Sequence, residues 1–145
     1  MQIMKVTDGA KIFIKNDALN KYLFVLRDNK PNIPEPNMWG LLGGGIEQNE
    51  RPIDTVKREI KEELDIEVFN IKHIYSKKKV HTVQGQEYEI NGHYFMGETN
   101  IEDLSNIVLN EGQKASFFSL EEINSKENVS PTIKELIAVC KEELK

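Results

Sequence analysis

Two hydrophobic rhythms organise the chain. Ala10 to Ile14 and Tyr22 to Leu26 are short β-rich runs separated by the polar segment 15–21, and such a pair predicts a hairpin. The stretch from Asp28 to Asn37 carries Pro31, Pro34 and Pro36, which excludes regular structure and predicts a loop. Met38-Trp39-Gly40-Leu41-Leu42 then delivers the chain to Gly43-Gly44-Gly45, where glycine lets the backbone bend sharply and approach a ligand closely. From Pro52, a residue suited to a first helical turn, the rhythm becomes helical: Ile53, Val56, Ile60 and Leu64 form one apolar stripe. Glu67 to Val80 and Glu87 to Met96 read as two longer strands joined at Gln84-Gly85, and Ala115 to Phe118 as another strand. Leu120 to Asn124 reads as a helical turn, and Pro131 to Leu144 as a terminal amphipathic helix capped by Ser130. With no repeat or linker in between, residues 1–145 are expected to form one α/β domain, a mixed sheet with a helix on each face.

Composition narrows the class. A chain of 145 residues with 39% hydrophobic and 30% charged side chains suits a globular fold with a real core. Its net charge of -5 argues against nonspecific binding of nucleic acid polymers, while leaving room for a small phosphate-bearing substrate held by a few local cations. No stretch is apolar enough for a signal peptide or a bilayer span, so a cytoplasmic location without membrane attachment is expected. The single cysteine, Cys140, shares helical spacing with Ile133, Leu136, Ile137 and Leu144 and reads as a small core residue.

The candidate chemistry lies on the first helix. At about 100° per residue, Glu59, Glu62 and Glu63 fall within an arc of roughly 100°, centred about 115° from the apolar stripe. The helix can therefore bury one face and present carboxylates along its flank. Like charges at these spacings repel, and a hard divalent cation would turn that cost into ligation. Upstream, Gly44 is followed after five residues by Glu50, and after seven more by Arg58-Glu59-Ile60, Glu62-Glu63 and Asp65-Ile66.

From Gly44 to Ile66 this pattern resembles the Nudix box, G-x5-E-x7-R-E-U-x-E-E-x-G-U with U a bulky aliphatic, of the Nudix hydrolases. One defined position departs: Asp65 stands where the family has its last glycine, at a helix end where a left-handed residue is expected. The resemblance implies a Nudix-type α/β/α sandwich and cleavage of a nucleoside diphosphate linked to another group. It implies Glu59, Glu62 and Glu63 as ligands of Mg²⁺ or Mn²⁺, with the backbone carbonyl of Gly43 as a further ligand. Arg58 would orient the glutamates by pairing with Glu50. Glu111, in Asn110-Glu111-Gly112-Gln113, matches a glutamate that reaches the metal in the MutT-like branch. Glu62, Glu63 and Glu111 all remain candidates for the general base. Gly44, Gly45 and Arg27 are expected to touch the substrate, and the chain to act as a monomer or homodimer.

Other features carry less. Lys77-Lys78-Lys79 and His81 could steer phosphate, but lysines on a sheet edge also discourage aggregation. Trp39, Tyr88 and Tyr94 could stack on a nucleotide or simply pack. His73, His81 and His93 lack the spacing of a zinc pair. For the substrate, neither the proline after the box that marks many ADP-ribose pyrophosphatases nor the tyrosine associated with dinucleoside polyphosphate hydrolases is present. The Glu-Gly-Gln stretch favours a MutT-like conversion of a nucleoside triphosphate to monophosphate and pyrophosphate. Thr132, following Pro131, stands where enzymes of oxidised guanine would have an asparagine. The alternatives are an ADP-ribose or nucleotide-sugar pyrophosphatase, a non-catalytic nucleotide-binding regulatory domain, and a protein-interaction domain.

Overall fold

The computed structural model describes residues 5–145; Met1–Met4, part of the N-terminal stretch read above for an apolar run, lie outside the described residues. A seven-stranded mixed sheet is built around β1 (Lys5–Asn16). Along one edge β1 lies parallel to β6 (Gln86–Glu98), from Lys5 opposite Tyr88 to Lys15 opposite Glu98. β5 (Phe69–Val83) extends the sheet antiparallel to β6. The other edge of β1 is divided: Ile14 to Asn16 pair with β2 (Lys21–Leu26), and Gly9 to Ile12 pair with β4 (Leu42–Gly45), both antiparallel. β2 in turn carries β3 (Trp39–Gly40) and β7 (Lys114–Phe118).

Alternation along β1 sorts the core into two layers. Ala10, Ile12 and Ile14 join Val56, Ile60 and Leu64 of the helix α1 (Pro52–Glu63) and its C-cap. Phe13 joins the opposite layer with Ile123 of α2 (Leu120–Ser125) and Ile133 and Leu136 of α3 (Pro131–Val139). Fully burying each large apolar side chain contributes about 1.5–3 kcal/mol, so the α1 stripe alone fixes the helix against the sheet. Cys140 is buried in the α3 layer.

Most elements extend a few residues beyond the runs read from sequence. The exceptions have local causes. The glycine run is itself a strand: Gly43, at φ 152°, lies so close to β1 that a Cβ there would sit 2.1 Å from the Ala10 carbonyl oxygen. The terminal helix stops at Val139 rather than reaching Leu144. Beyond it the chain turns so that Leu144 is buried while its carbonyl accepts the Tyr22 hydroxyl at 2.9 Å. Ser130 makes no side-chain cap, contrary to expectation. Its amide instead donates to the Trp39 carbonyl at 2.9 Å, and Pro131 at the first helical position removes one donor that would need capping. Among the described residues no helix is long and apolar enough to cross a membrane.

At the end of α1, Asp65 adopts φ 49°, and its amide donates to the Ile60 carbonyl at 2.8 Å. The left-handed conformation expected at the family's missing glycine is therefore present. Replacing Asp65 with Gly should stabilise the fold by up to about 1 kcal/mol, since glycine carries no steric penalty there. Chemical denaturation checks this, and a loss of stability would show that the Asp65 side chain makes a bond glycine cannot replace.

Candidate active site

Arg58 organises the acidic flank of α1. Its Nε donates to Glu50 at 2.8 Å and its Nη2 to the other Glu50 oxygen at 3.1 Å and to the Gly45 carbonyl at 3.0 Å. Nη1 reaches Glu59 at 3.0 Å and Glu62 at 3.2 Å. Glu50 is held further by the buried Thr55 hydroxyl and the Glu47 amide, each at 2.9 Å. These bonds, Arg58 first, hold the Glu50 carboxyl down at about 2. Asp54 is lowered as far by Arg51, but that pair is largely exposed, whereas the Arg58 and Glu50 side chains are only 21% and 17% exposed. Only the second pair is sheltered enough from solvent to matter much for stability.

Beside this network lies a cavity of about 280 Å³. Glu59, Glu63, Glu111 and Gly43 line it, and Lys11, Arg27 and Lys30 also reach it. Burial raises the Glu59 pKa, against the pull of Arg58 and with the help of Glu62 and Glu63. Gly44 makes the carboxylate's place available, since a Cβ at that position would lie 2.4 Å from Glu59 Oε1. Burial, reinforced by Arg27, lowers Lys11 to about 8.

Glu111 arrives from a loop fastened on two sides. The Asn110 side chain donates to the Glu62 carbonyl at 2.7 Å, and the Glu111 amide to Glu63 Oε2 at 3.2 Å. Gly112, at φ 87°, donates its amide to Asp28 at 3.3 Å. The Gln113 side chain donates to the Arg27 carbonyl at 2.8 Å and to Asn37 at 2.9 Å.

Of the residues picked from sequence, Glu59, Glu63, Glu111, Gly43 and Arg27 thus share one cavity. Glu62 is turned to Arg58, while Gly44 and Gly45 line a second cavity of about 330 Å³. As they stand among the described residues, no three acidic, histidine or cysteine groups enclose an ion by themselves. The donors still suit a hard divalent cation, since Glu59, Glu63 and Glu111 bring carboxylate oxygens to one cavity. Trp39 is packed edge-on against Phe118 in the core, and the lysine run of β5 is paired, Lys77 with Glu135, Lys78 with Glu89 and Lys79 with Glu35. Sequence reasoning missed Lys11, an isolated polar residue in an apolar strand pattern, and Thr55; the signal for Lys11 was present, since a lysine between Ala10 and Ile12 interrupts a buried run.

The family model of the NUDIX domain matches residues 5–140. The chain belongs to the Nudix family. It is accordingly a Nudix hydrolase, in a family whose members depend on a divalent metal. No curated protein matches it in sequence. Among solved structures, the MutT protein of Methanosarcina mazei Go1 superposes with a TM-score of 0.78 at 18% identity, covering 100% of this chain and 99% of that one. The E. coli dihydroneopterin triphosphate pyrophosphohydrolase gives 0.73 at 13% identity, covering 97% and 99%. A bifunctional NMN adenylyltransferase/ADP ribose pyrophosphatase from Francisella tularensis, solved with AMP and a Mn ion, gives 0.69 at 17% identity, covering 100% of this chain and 44% of that one. At these identities the likeness is one of fold.

Two substitutions in the glycine run should separate fold from site. In Gly43→Ala the new methyl meets β1 backbone, so the loss of stability should exceed about 2 kcal/mol. In Gly44→Ala it meets only the Glu59 carboxylate, so Nudix activity should fall while the melting temperature changes little. Acid titration should also read the Arg58 network. With its folded pKa depressed to about 2, Glu50 contributes stability in full above about pH 4.5 and loses it as the pH falls towards 2. Glu50→Gln should be less stable than the parent at pH 7 and converge on it only as the pH reaches about 2, as followed by thermal melts.

Proposed function

We propose that the protein hydrolyses nucleoside triphosphates to the monophosphate and pyrophosphate, with Mg²⁺ or Mn²⁺ as cofactor. The observation that carries this reading is that one cavity is lined both by carboxylates, Glu59, Glu63, Glu111 and Asp28, and by cations, Lys11, Arg27 and Lys30. A phosphate chain fits between them, because its oxygens carry negative charge that both the ammonium groups and a carboxylate-held metal would neutralise. Glu59 and Glu63, joined by Glu62 if it leaves Arg58, by Glu111 and by the Gly43 carbonyl, would hold the ion. When bound, it supplies charge neutralisation on the phosphoryl oxygens and a more acidic water.

The chain's own groups divide the remaining work. Arg58 keeps Glu59 and Glu62 from repelling one another and fixes their side-chain directions. A water oxygen bonds to phosphorus, the α–β anhydride bond breaks, and the bridging oxygen leaves with one product. The proton of the water passes to a carboxylate. Glu63 and Glu111 line the cavity and Glu62 does not, which supports one of the first two as its acceptor. The nucleoside is assigned to the second cavity, which shares Lys11, Arg27 and Leu41 with the first. A ligand lying across that junction would place its phosphates in the first cavity, with Glu59, Glu63 and Glu111, and its base in the second.

Glu63→Gln should lower turnover by several orders of magnitude with little change in melting temperature, because it removes a ligand charge or base while keeping shape. Turnover within about twofold of the parent at saturating Mg²⁺ would overturn the assignment. The substrate reading is tested on nucleoside triphosphates, ADP-ribose and sugar nucleotides, with products resolved by chromatography. Pyrophosphate release supports it; orthophosphate release, or a clear preference for ADP-ribose, refutes it while leaving family membership intact.

A further inference from the structure

The second cavity contains a carboxylate that the chemistry at α1 does not use. Its walls include Leu41, Ile90 and Ile133, and Glu35 lines it together with Asp8, Lys11, Arg27, Lys79 and His81. Cavities that combine apolar walls with convergent polar groups are the usual form of an organic-ligand site. Glu35 stands in Pro34-Glu35-Pro36 with a left-handed backbone, φ 50°, a conformation that a non-glycine residue adopts only when its surroundings enforce it. Its side chain is sheltered: Pro36 and Asn37 are exposed, whereas the Glu35 side chain is only 19% exposed.

The loop that holds it is pinned at several points. The Arg27 amide donates to the Met38 carbonyl at 2.9 Å and the Asn37 amide to the Asp28 carbonyl at 3.0 Å, closing the loop at its base. Arg27 Nε donates to the Pro34 carbonyl at 2.8 Å, next to the glutamate itself. Among the described residues Glu35 makes one ion pair, with Lys79 at 3.6 Å, longer than a hydrogen bond, and Lys79 also donates to the Thr132 hydroxyl. Lys79 thus compensates the charge of a sheltered carboxylate without saturating its oxygens, which accept only and have room for several donors.

We propose that Glu35 selects the substrate's base, accepting two parallel hydrogen bonds from a heterocycle that presents a ring N–H beside an exocyclic amino group, as guanine does. The inference rests on the nucleotide reading of the previous subsection. Two adjacent donors match the two oxygens of a carboxylate, the geometry that makes bidentate pairs selective. Adenine and cytosine place a ring acceptor beside the amino group, and uracil flanks its one N–H with carbonyl oxygens. Each would set a lone pair against the carboxylate. Hypoxanthine keeps the ring N–H and lacks the amino group, so it isolates the second bond.

Steady-state kinetics with the triphosphates of guanosine, inosine, adenosine, cytidine and uridine test this on the full chain with Mg²⁺. The parent should prefer guanosine over inosine triphosphate by about tenfold in kcat/KM, and over the others by more, because a lost bond leaves a sheltered polar group unpaired. Glu35→Gln should raise KM for guanosine triphosphate about tenfold and bring that preference to within about twofold. Lys79→Gln removes the ion pair but not the carboxylate and should keep the preference; if it erases the preference as fully as Glu35→Gln, the pair merely shapes the loop and the proposal falls. An unchanged base profile in Glu35→Gln overturns it directly. Calorimetric binding of guanosine, inosine and adenosine monophosphates without metal separates this inference from the reaction. Guanosine preference lost in Glu35→Gln supports base selection even if no triphosphate is hydrolysed, and equal binding of the three by the parent overturns it.

Discussion

One guanidinium among carboxylates is the constraint on which the site depends. Glu47, Glu50, Glu59 and Glu62 all lie within 3.5 Å of Arg58. Without that cation the acidic flank of α1 would be a row of repelling charges on a helix whose opposite stripe is committed to the core. Arg58 also bonds the Gly45 carbonyl at the end of β4. It therefore ties the helix to the strand that precedes it, as well as the carboxylates to one another. Replacing it with lysine would keep the charge and lose the fork that reaches several oxygens at once.

A second set of ties links parts of the site distant in sequence. The Asn110 to Gln113 loop is bonded to the end of α1 on one side and to the Arg27 to Asn37 loop on the other. The carboxylates that line the first cavity and the loop bordering the second thus share a brace of side-chain and backbone hydrogen bonds. Rigid support of this kind is what keeps reacting groups within the narrow geometry that catalysis needs.

Sequence made the α1 half of this arrangement legible because a helix converts spacing into direction with little help from the rest of the chain. The flank of Glu59, Glu62 and Glu63 follows from local geometry, while the Arg58 to Glu50 pairing and the left-handed turn at Asp65 were read through the resemblance to the Nudix box. Glu111 was legible only through family resemblance, since its position is set by bonds to residues dozens of places away. Lys11 carried a signal in the sequence but not its role, and Glu35 was hidden altogether. Lys11 matters because β4 lies against β1, a pairing that the glycine run does not announce. Glu35 sits in a proline-rich loop that pattern alone can describe only as irregular, and its sheltered position depends on Arg27, Lys79 and the closure of the loop base. Propensity also failed at α3, where burying Leu144 won over continuing the helix.

The parallel pairing of β1 with β6 sets an order in time. Lys5 lies opposite Tyr88, so the strand beneath α1 has one of its edges closed only by residues that follow it far along the chain. Pairings of such long sequence separation are slow to form, because loop closure must precede the contacts that reward it. During synthesis the segment from Gly44 to Ile66 emerges complete well before the sheet it packs on can be finished. Its helix can form early, but the cavity floor cannot become rigid until Gln86 to Glu98 has been made and docked. Until then β1 presents an open edge rich in apolar residues, so protection from aggregation matters most for the half-made chain.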